Sequence, residues 1–194
     1  MKLEREFYNR DTLTVARELV GKIFVHDSPE GKVKARITEV EAYIGPEDKA
    51  AHSYGNRPSA RTKIQYGEGG YVYTFLIYGM YVCMNVVTNL ADKPEVVLFR
   101  SLEPLEGLEL MKQRRKTEKV RNLCSGPGKL CQAMGITREH YGADLCGDEL
   151  YIEDAPELSE EEICADKRIN IDYAEEAKDY PWRFTIKDSP WLSK

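Results

Sequence analysis

The sequence predicts a single α+β domain, and three observations carry that prediction. Its 194 residues suit one domain at a typical ~150 residues each, and no repeat, low-complexity tract or Pro/Gly/Ser linker divides them. Hydrophobic residues make up 42% and charged residues 31%, enough apolar material for a full core without disulfide or metal staples. Segments of helical spacing and segments of strand character then follow one another, punctuated by Gly and Pro.

Taken in order, Asp11 can cap a short helix in which Leu13, Ala16, Leu19 and Val20 follow helical spacing, with Gly21 where a left-handed residue is expected after its end. Val33 to Ile44 alternates as a strand and so places Val33, Ala35, Ile37, Glu39, Glu41 and Tyr43 on one face. His52 to Gly70, with Gly55, Pro58, Gly67 and Gly69, reads as a long surface loop, a place where function often sits. Tyr71 to Val87 is aromatic and β-branched and predicts two strands hinged about Tyr78, Gly79 and Met80, with Tyr78 at the hairpin tip. Val96 to Phe99 is a further buried strand ending at Arg100, and Pro104 is expected to start a helix through Leu105, Leu108 and Met111. Ser125 to Lys129 (SGPGK) precedes a short helix, Leu130 to Met134, stopped by Gly135.

The net charge of −5 argues at first against a polyanionic partner. By segment the picture changes: residues 139–179 hold 15 acidic and 3 basic side chains, net −12, which leaves net +7 in the remainder. Lys112, Arg114, Arg115, Lys116, Lys119, Arg121 and Lys129 cluster in one stretch, and Arg57, Arg61 and Lys63 lie in the glycine-rich loop. They suit either phosphate contacts or ordinary solvated faces. If they meet phosphate, the acidic segment is expected to face away from Tyr78.

No run is long and apolar enough for a membrane helix, and Met1 to Arg10 has no signal-peptide character, so a soluble intracellular protein is expected. Five cysteines without C-x-x-C spacing read as free thiols, and His26, His52 and His140 are too scattered to suggest a metal site by spacing. Gly128-Lys129 does not extend to a nucleotide-binding P-loop, because Leu130 follows the lysine and position 123 is Leu. What remains is a helix start whose backbone N–H groups, with Lys129, suit a phosphate, or simply a tight turn.

Glu39 and Glu41 pose the sharpest question. A carboxylate on the apolar face of a strand must lie near an edge, be paired, or be useful, since burial unpaired costs several kcal/mol. Either both are salt-bridged, with Arg100 as one candidate partner, or they form an acid/base pair, and the pattern does not say which would act. The aromatic run from Tyr71 to Tyr81 is likewise either sheet core or a stacking platform, Tyr78 excepted, whose place at a turn makes it a poor core residue.

EAYIGPEDKAAHS (41 to 53), YGMYVCMN (78 to 85), LFRSLEPLEGLELM (98 to 111), LCSGPGKLCQAMGI (123 to 136) and PWRFTIKDSPWLS (181 to 193) together resemble the alkyladenine, or 3-methyladenine, DNA glycosylase family nearly end to end. The resemblance implies one domain, residues 1–194, with a curved antiparallel sheet, a protruding β-hairpin and surrounding helices. It also implies a monomeric enzyme of base-excision repair without a cofactor or metal, acting on double-stranded DNA with damaged purines, in the cytoplasm or on the nucleoid of a prokaryote or in the nucleus of a eukaryote. Such an enzyme flips the damaged nucleotide out and hydrolyses its N-glycosidic bond.

By the same resemblance Glu41 is the base that deprotonates water and Arg100 holds that carboxylate. Tyr43, His52 and Phe75 wall the base pocket with Ala50 and Cys83, and Asn85 excludes normal guanine. Tyr78 fills the gap in the duplex, supported by Gly79 and Met80, while Arg57, Ser59, Arg61 and Lys129 contact DNA. No lysine matches a Schiff-base role, so a monofunctional glycosylase is expected; a catalytically silent binder of damaged DNA and a small-molecule carboxylate hydrolase on a related scaffold are the alternatives. Phe75 in place of the family's tyrosine, Gln65 in place of a larger apolar residue and the Tyr54-Gly55-Asn56 stretch bear on substrate range, with cationic alkylated purines expected ahead of neutral lesions.

Overall fold

A computed structural model describes residues 1–193. Four helices, α1 (Arg5–Tyr8), α2 (Thr12–Leu19), α3 (Leu108–Arg115) and α4 (Pro127–Met134), pack around one open antiparallel sheet. Its strands are β1 (Ile23–Ser28), β2 (Gly31–Ile44), β3 (Val72–Ile77), β4 (Tyr81–Thr88), β5 (Glu95–Glu106), β6 (Leu150–Glu153), β7 (Ile163–Asp166) and β8 (Arg183–Ile186). The order is β3-β4-β5-β2-β1-β6, and β8 with β7 joins the free edge of β2 at Glu39–Glu41, past the end of β1. The α+β expectation is met.

The 14-residue β2 organises the molecule, and it departs from the alternation read in its sequence. Thr38 is an extra residue between the Ile37–Leu102 and Glu39–Ser101 pairs, and Arg100 is an extra residue of β5 between Ser101 and Phe99. Each such bulge advances the side-chain phase by one. Val33, Ala35 and Ile37 therefore share the main core with Val40 and Ala42, and Glu39, Glu41 and Tyr43 point to the other side. The single face expected for all six residues is thus corrected: the core face and the carboxylate face are opposite faces joined by a bulge.

α2 forms where expected. Asp11 accepts from the Thr14 N–H, Val15, Ala16 and Leu19 are buried, and Gly21 at φ +95° turns the chain into β1. The strand over Val96–Phe99 runs on to Glu106, so Arg100 lies mid-strand instead of at its end. Pro104 starts no helix: it pairs with Ala35 where β5 has β2 on one side and no strand on the other, an edge that tolerates a missing N–H. α3 begins only after Gly107, at φ +77°, where a side chain would meet the Lys32 carbonyl at 2.5 Å. α4 starts at Pro127, earlier than read, because proline fits the first turn, and ends at Gly135 as expected. The cysteines are free thiols, and among the described residues no helix is long and apolar enough to cross a membrane.

Candidate active site

β3 and β4 form the expected hairpin. Tyr78 and Gly79 both have positive φ (52° and 70°), and Met80 N–H closes the turn on the Ile77 carbonyl, the geometry that suits the twist of a tight hairpin. Tyr78 is 83% exposed and Met80 68%, an apolar tip left largely to solvent. Between this hairpin, the β2–β5 floor and the start of α4 lies a cleft of about 750 Å³.

The cleft gathers most of the residues singled out in the sequence. Tyr43, Ala50, His52, Phe75, Cys83, Asn85, Arg100, Tyr78, Arg61 and Lys129 all line it. Gly79 and Met80 border a shallow groove behind the tip, and Arg57 and Ser59 stay on the exposed loop outside the cleft. Arg61, expected with the DNA contacts, is turned inward. Its guanidinium lies 5.3 Å from the Phe75 ring centre and donates to the Tyr73 hydroxyl (3.1 Å) and to His52 Nδ1 (3.0 Å). Tyr73 also reaches His52 Nδ1 at 2.8 Å. The same Arg61 Nη2 lies 3.1 Å from His52 Nε2, so donors face both ring nitrogens. Burial and the adjacent Arg61 charge push His52 down to about 4, so the ring is neutral at neutral pH.

Glu41 is completely buried and sits one layer behind the cleft wall. One oxygen accepts from the Tyr43 hydroxyl (2.7 Å) and lies 3.5 Å from Arg100 Nη1; the other accepts from the Ile169 N–H (2.7 Å). Burial raises its pKa above the ordinary glutamate value, and Arg100 and the hydrogen bonds pull the other way. Glu39 is held differently, by Arg100 Nε, Arg183 and both the N–H and hydroxyl of Ser193. The two carboxylates are thus held differently: the partners of Glu39 tie down the C-terminal segment, and Glu41 stands behind the cleft wall.

Several residues of the site carry no such reading in the sequence. Asp48 makes a fully buried two-pronged pair with Arg168 (2.6 and 2.9 Å) and accepts from the Ile44 and Ala50 N–H groups, which fixes the loop bearing Ala50 and His52. Arg168 in turn donates to the Ala42 carbonyl and lies 4.7 Å from the Tyr43 ring centre, bracing that wall from behind. Ile169, Asn170, Ile171 and Tyr173 close one side of the cleft. Tyr73, two residues before Phe75, could have been found by strand alternation; the 169–173 strip, inside an acidic segment, had no signal.

That strip also corrects the expectation that residues 139–179 keep away from the Tyr78 face. Part of the segment lines the cleft, and Glu139 borders the groove beside Gly79 and Met80. The segment is not one surface: the part lining the cleft is uncharged, and acids elsewhere in it pair with Lys49, Lys167 and Arg183.

The sequence profile of the methylpurine-DNA glycosylase (MPG) family matches residues 6–190. Relatives named "Putative 3-methyladenine DNA glycosylase" include one from Clostridium novyi (strain NT), 55% identical over 100% of this chain and 98% of its own length. Others come from Alkaliphilus oremlandii (strain OhILAs), 54% identical over 100% of both chains, and Bacillus cytotoxicus, 51% identical over 100% of both. With a match that spans nearly the whole chain and relatives above half identity along its full length, the chain belongs to the methylpurine-DNA glycosylase family.

Proposed function

We propose that this DNA glycosylase takes a damaged purine out of double-stranded DNA into the cleft and hydrolyses its N-glycosidic bond with water activated by Glu41. The observation that carries this reading is the place of Glu41: a buried carboxylate whose partners, Tyr43, Arg100 and Ile169, all front the cleft that also holds the aromatic walls. Glu41 takes a proton from water, the water oxygen bonds to the sugar C1′, and the C1′–N bond breaks with its electron pair leaving on the purine. Arg100 favours the ionised carboxylate and so opposes the burial that raises its pKa.

Tyr78 at the exposed hairpin tip is the wedge that occupies the vacated place in the duplex. Flipping costs a few kcal/mol of stacking, which the aromatic walls Tyr43 and Phe75 return in part to the extruded base. Cationic alkylated purines leave readily and gain from the π-faces that Arg61 does not cover, so 3-methyladenine and 7-methylguanine are expected ahead of hypoxanthine and ethenoadenine. His52, whose ring lines the cleft, supplies a hydrogen bond for the neutral lesions. At the α4 N-terminus, Ser125 is buried with no partner for its hydroxyl, and Lys129 stands beside it, a cradle for a backbone phosphate.

The nucleophile is water, and Lys129 acts on phosphate only. Reduction with borohydride during turnover should therefore trap no covalent protein–DNA adduct; a trapped adduct lost in Lys129→Ala would overturn the monofunctional reading. Glu41→Gln separates enzyme from silent binder: excision should disappear while affinity for a duplex with an abasic analogue persists. A chain that binds such a duplex without salt dependence would contradict the phosphate contacts.

A further inference from the structure

Away from the cleft, the fold brings together two histidines that lie far apart in the sequence. His26 is on β1, His140 in the 3-10 turn Arg138–His140 and Glu149 just before β6. Glu149 Oε1 lies 3.5 Å from His26 Nε2 and 3.9 Å from His140 Nε2, and the three ligand atoms are all within 4.8 Å of one another. The imidazole rings meet edge to face at 5.2 Å.

The decisive atom is His26 Nε2. The ring is 3% exposed, and Nδ1 lies 2.6 Å from the Met134 carbonyl, which can only accept, so the neutral ring carries its proton on Nδ1. Nε2 is left as a buried lone pair with no hydrogen-bond partner among the described residues. An unsatisfied buried acceptor is costly, and an imidazole whose far nitrogen donates to a backbone carbonyl is the usual arrangement of a metal-ligating histidine.

We propose that His26, His140 and Glu149 bind one zinc-type divalent transition-metal ion, at the opposite end of α4 from the cleft. Two imidazole nitrogens and one carboxylate oxygen are a donor set for zinc rather than for magnesium or calcium, with a fourth position left to water on the side of the mostly exposed Glu149. His140 must adjust. Its Nδ1 now accepts from the Thr137 N–H at 2.9 Å, so the neutral ring holds its proton on Nε2. Ligation moves that proton to Nδ1, frees the Thr137 N–H to water and turns the ring toward the ion.

The consequence reaches the DNA-reading elements. The turn that carries His140 forms one wall of the groove behind Gly79 and Met80, and the next residue, Tyr141, donates to the Arg61 carbonyl and accepts from the Ile64 N–H. A metal at His140 ties the β1–β6 frame to the support of both hairpin and loop.

The test uses the untagged full chain after chelator treatment. Titration with Zn(II) by calorimetry should give one site per chain, and Co(II) should give the visible ligand-field bands of a low-symmetry four-coordinate ion. His140→Gln and Glu149→Gln, both outside the core, should each weaken binding at least about tenfold. Cys164→Ser and Cys146→Ser should leave it unchanged; loss in the cysteine variants with retention in His140→Gln and Glu149→Gln would assign the ion to thiols and overturn the proposal. Absence of saturable binding, or of the Co(II) bands, would overturn it equally. Because the readout is metal binding, it stands or falls independently of the reaction assigned to Glu41.

Discussion

Glu39 and Glu41 leave β2 on the same face, one pleat apart, and both are completely buried, yet the places they occupy are unlike. Glu39 is closed in by Arg183 and the Ser193 hydroxyl and N–H, which fasten the C-terminal segment across the sheet, and by Arg100, which it shares with Glu41. Glu41 has one arginine at 3.5 Å, a tyrosine hydroxyl and one N–H, and each of these fronts the cleft. Burial alone therefore says nothing about a carboxylate's role. What its partners face decides whether it staples the fold or serves the chemistry.

The largest effects come from removing the two charges separately. Glu41→Gln should lower single-turnover excision of 7-methylguanine by about 10²- to 10⁴-fold, the range for a lost general base, with chemical stability equal to or above that of the parent. Glu39→Gln should show the reverse: stability to urea lower by about 3–5 kcal/mol, because Arg100 and Arg183 lose a buried counter-charge, and near-normal rates per folded molecule. If Glu39→Gln abolished excision in a stable protein, the contrast between the two sites would be broken.

A pH profile sharpens the contrast at Glu41 alone. Its pKa is raised by burial above 4.5, and it must be ionised to accept a proton from water. Excision should therefore fall as pH drops through a midpoint above 4.5. Arg100 holds that pKa down, so Arg100→Gln should move the midpoint higher still. For stability the sign is opposite to that of an ordinary paired carboxylate. Between 4.5 and the raised value the folded state binds more protons than the unfolded one, so stability falls as pH rises through that window, and Glu41→Gln should lose this dependence.

The contrast was only half legible in the sequence. The motif around Glu41, the hairpin turn at Tyr78-Gly79 and the helix ends at Asp11 and Gly135 follow from local chemistry, and local chemistry is what a sequence displays. The bulges at Thr38 and Arg100 are not displayed: alternation read straight through them put Glu39 and Glu41 on the core face with Val33. Pro104 misled for a related reason, since an edge position that excuses a proline exists only once β4 has ended beside β5. Arg168 and the 169–173 strip reach the site through pairing with Asp48, far away in the chain, and nothing in their own neighbourhood marks them.

The exposed tip offers a smaller and separate effect. Tyr78 is largely exposed, so Tyr78→Ala should leave thermal stability unchanged and weaken binding to a lesion-bearing duplex by about tenfold or more, in line with ~1–3 kcal/mol for one aromatic–base stack. Fluorescence anisotropy with an abasic-analogue duplex measures it. Equal affinity in the variant would remove Tyr78 from the DNA contact and leave the cleft residues to carry recognition.

The smallest expected effect tests how the wall around Phe75 chooses its base. Arg61 lies over that ring and bonds His52 and Tyr73, so a positive charge occupies the face that attracts a cationic purine. A flipped base must displace the guanidinium or share the pocket with it. Sharing disfavours a cationic base by like-charge repulsion and favours a neutral one that can accept from the arginine. Arg61→Ala removes both influences, and with them the charge that helps hold His52 neutral. The ratio of single-turnover rates for 7-methylguanine over hypoxanthine should therefore rise a few-fold, while loss of a DNA contact would lower both rates alike and leave the ratio fixed. A fixed ratio would place Arg61 with Arg57 on the phosphates. A falling ratio would mean that the guanidinium assists departure of the charged base.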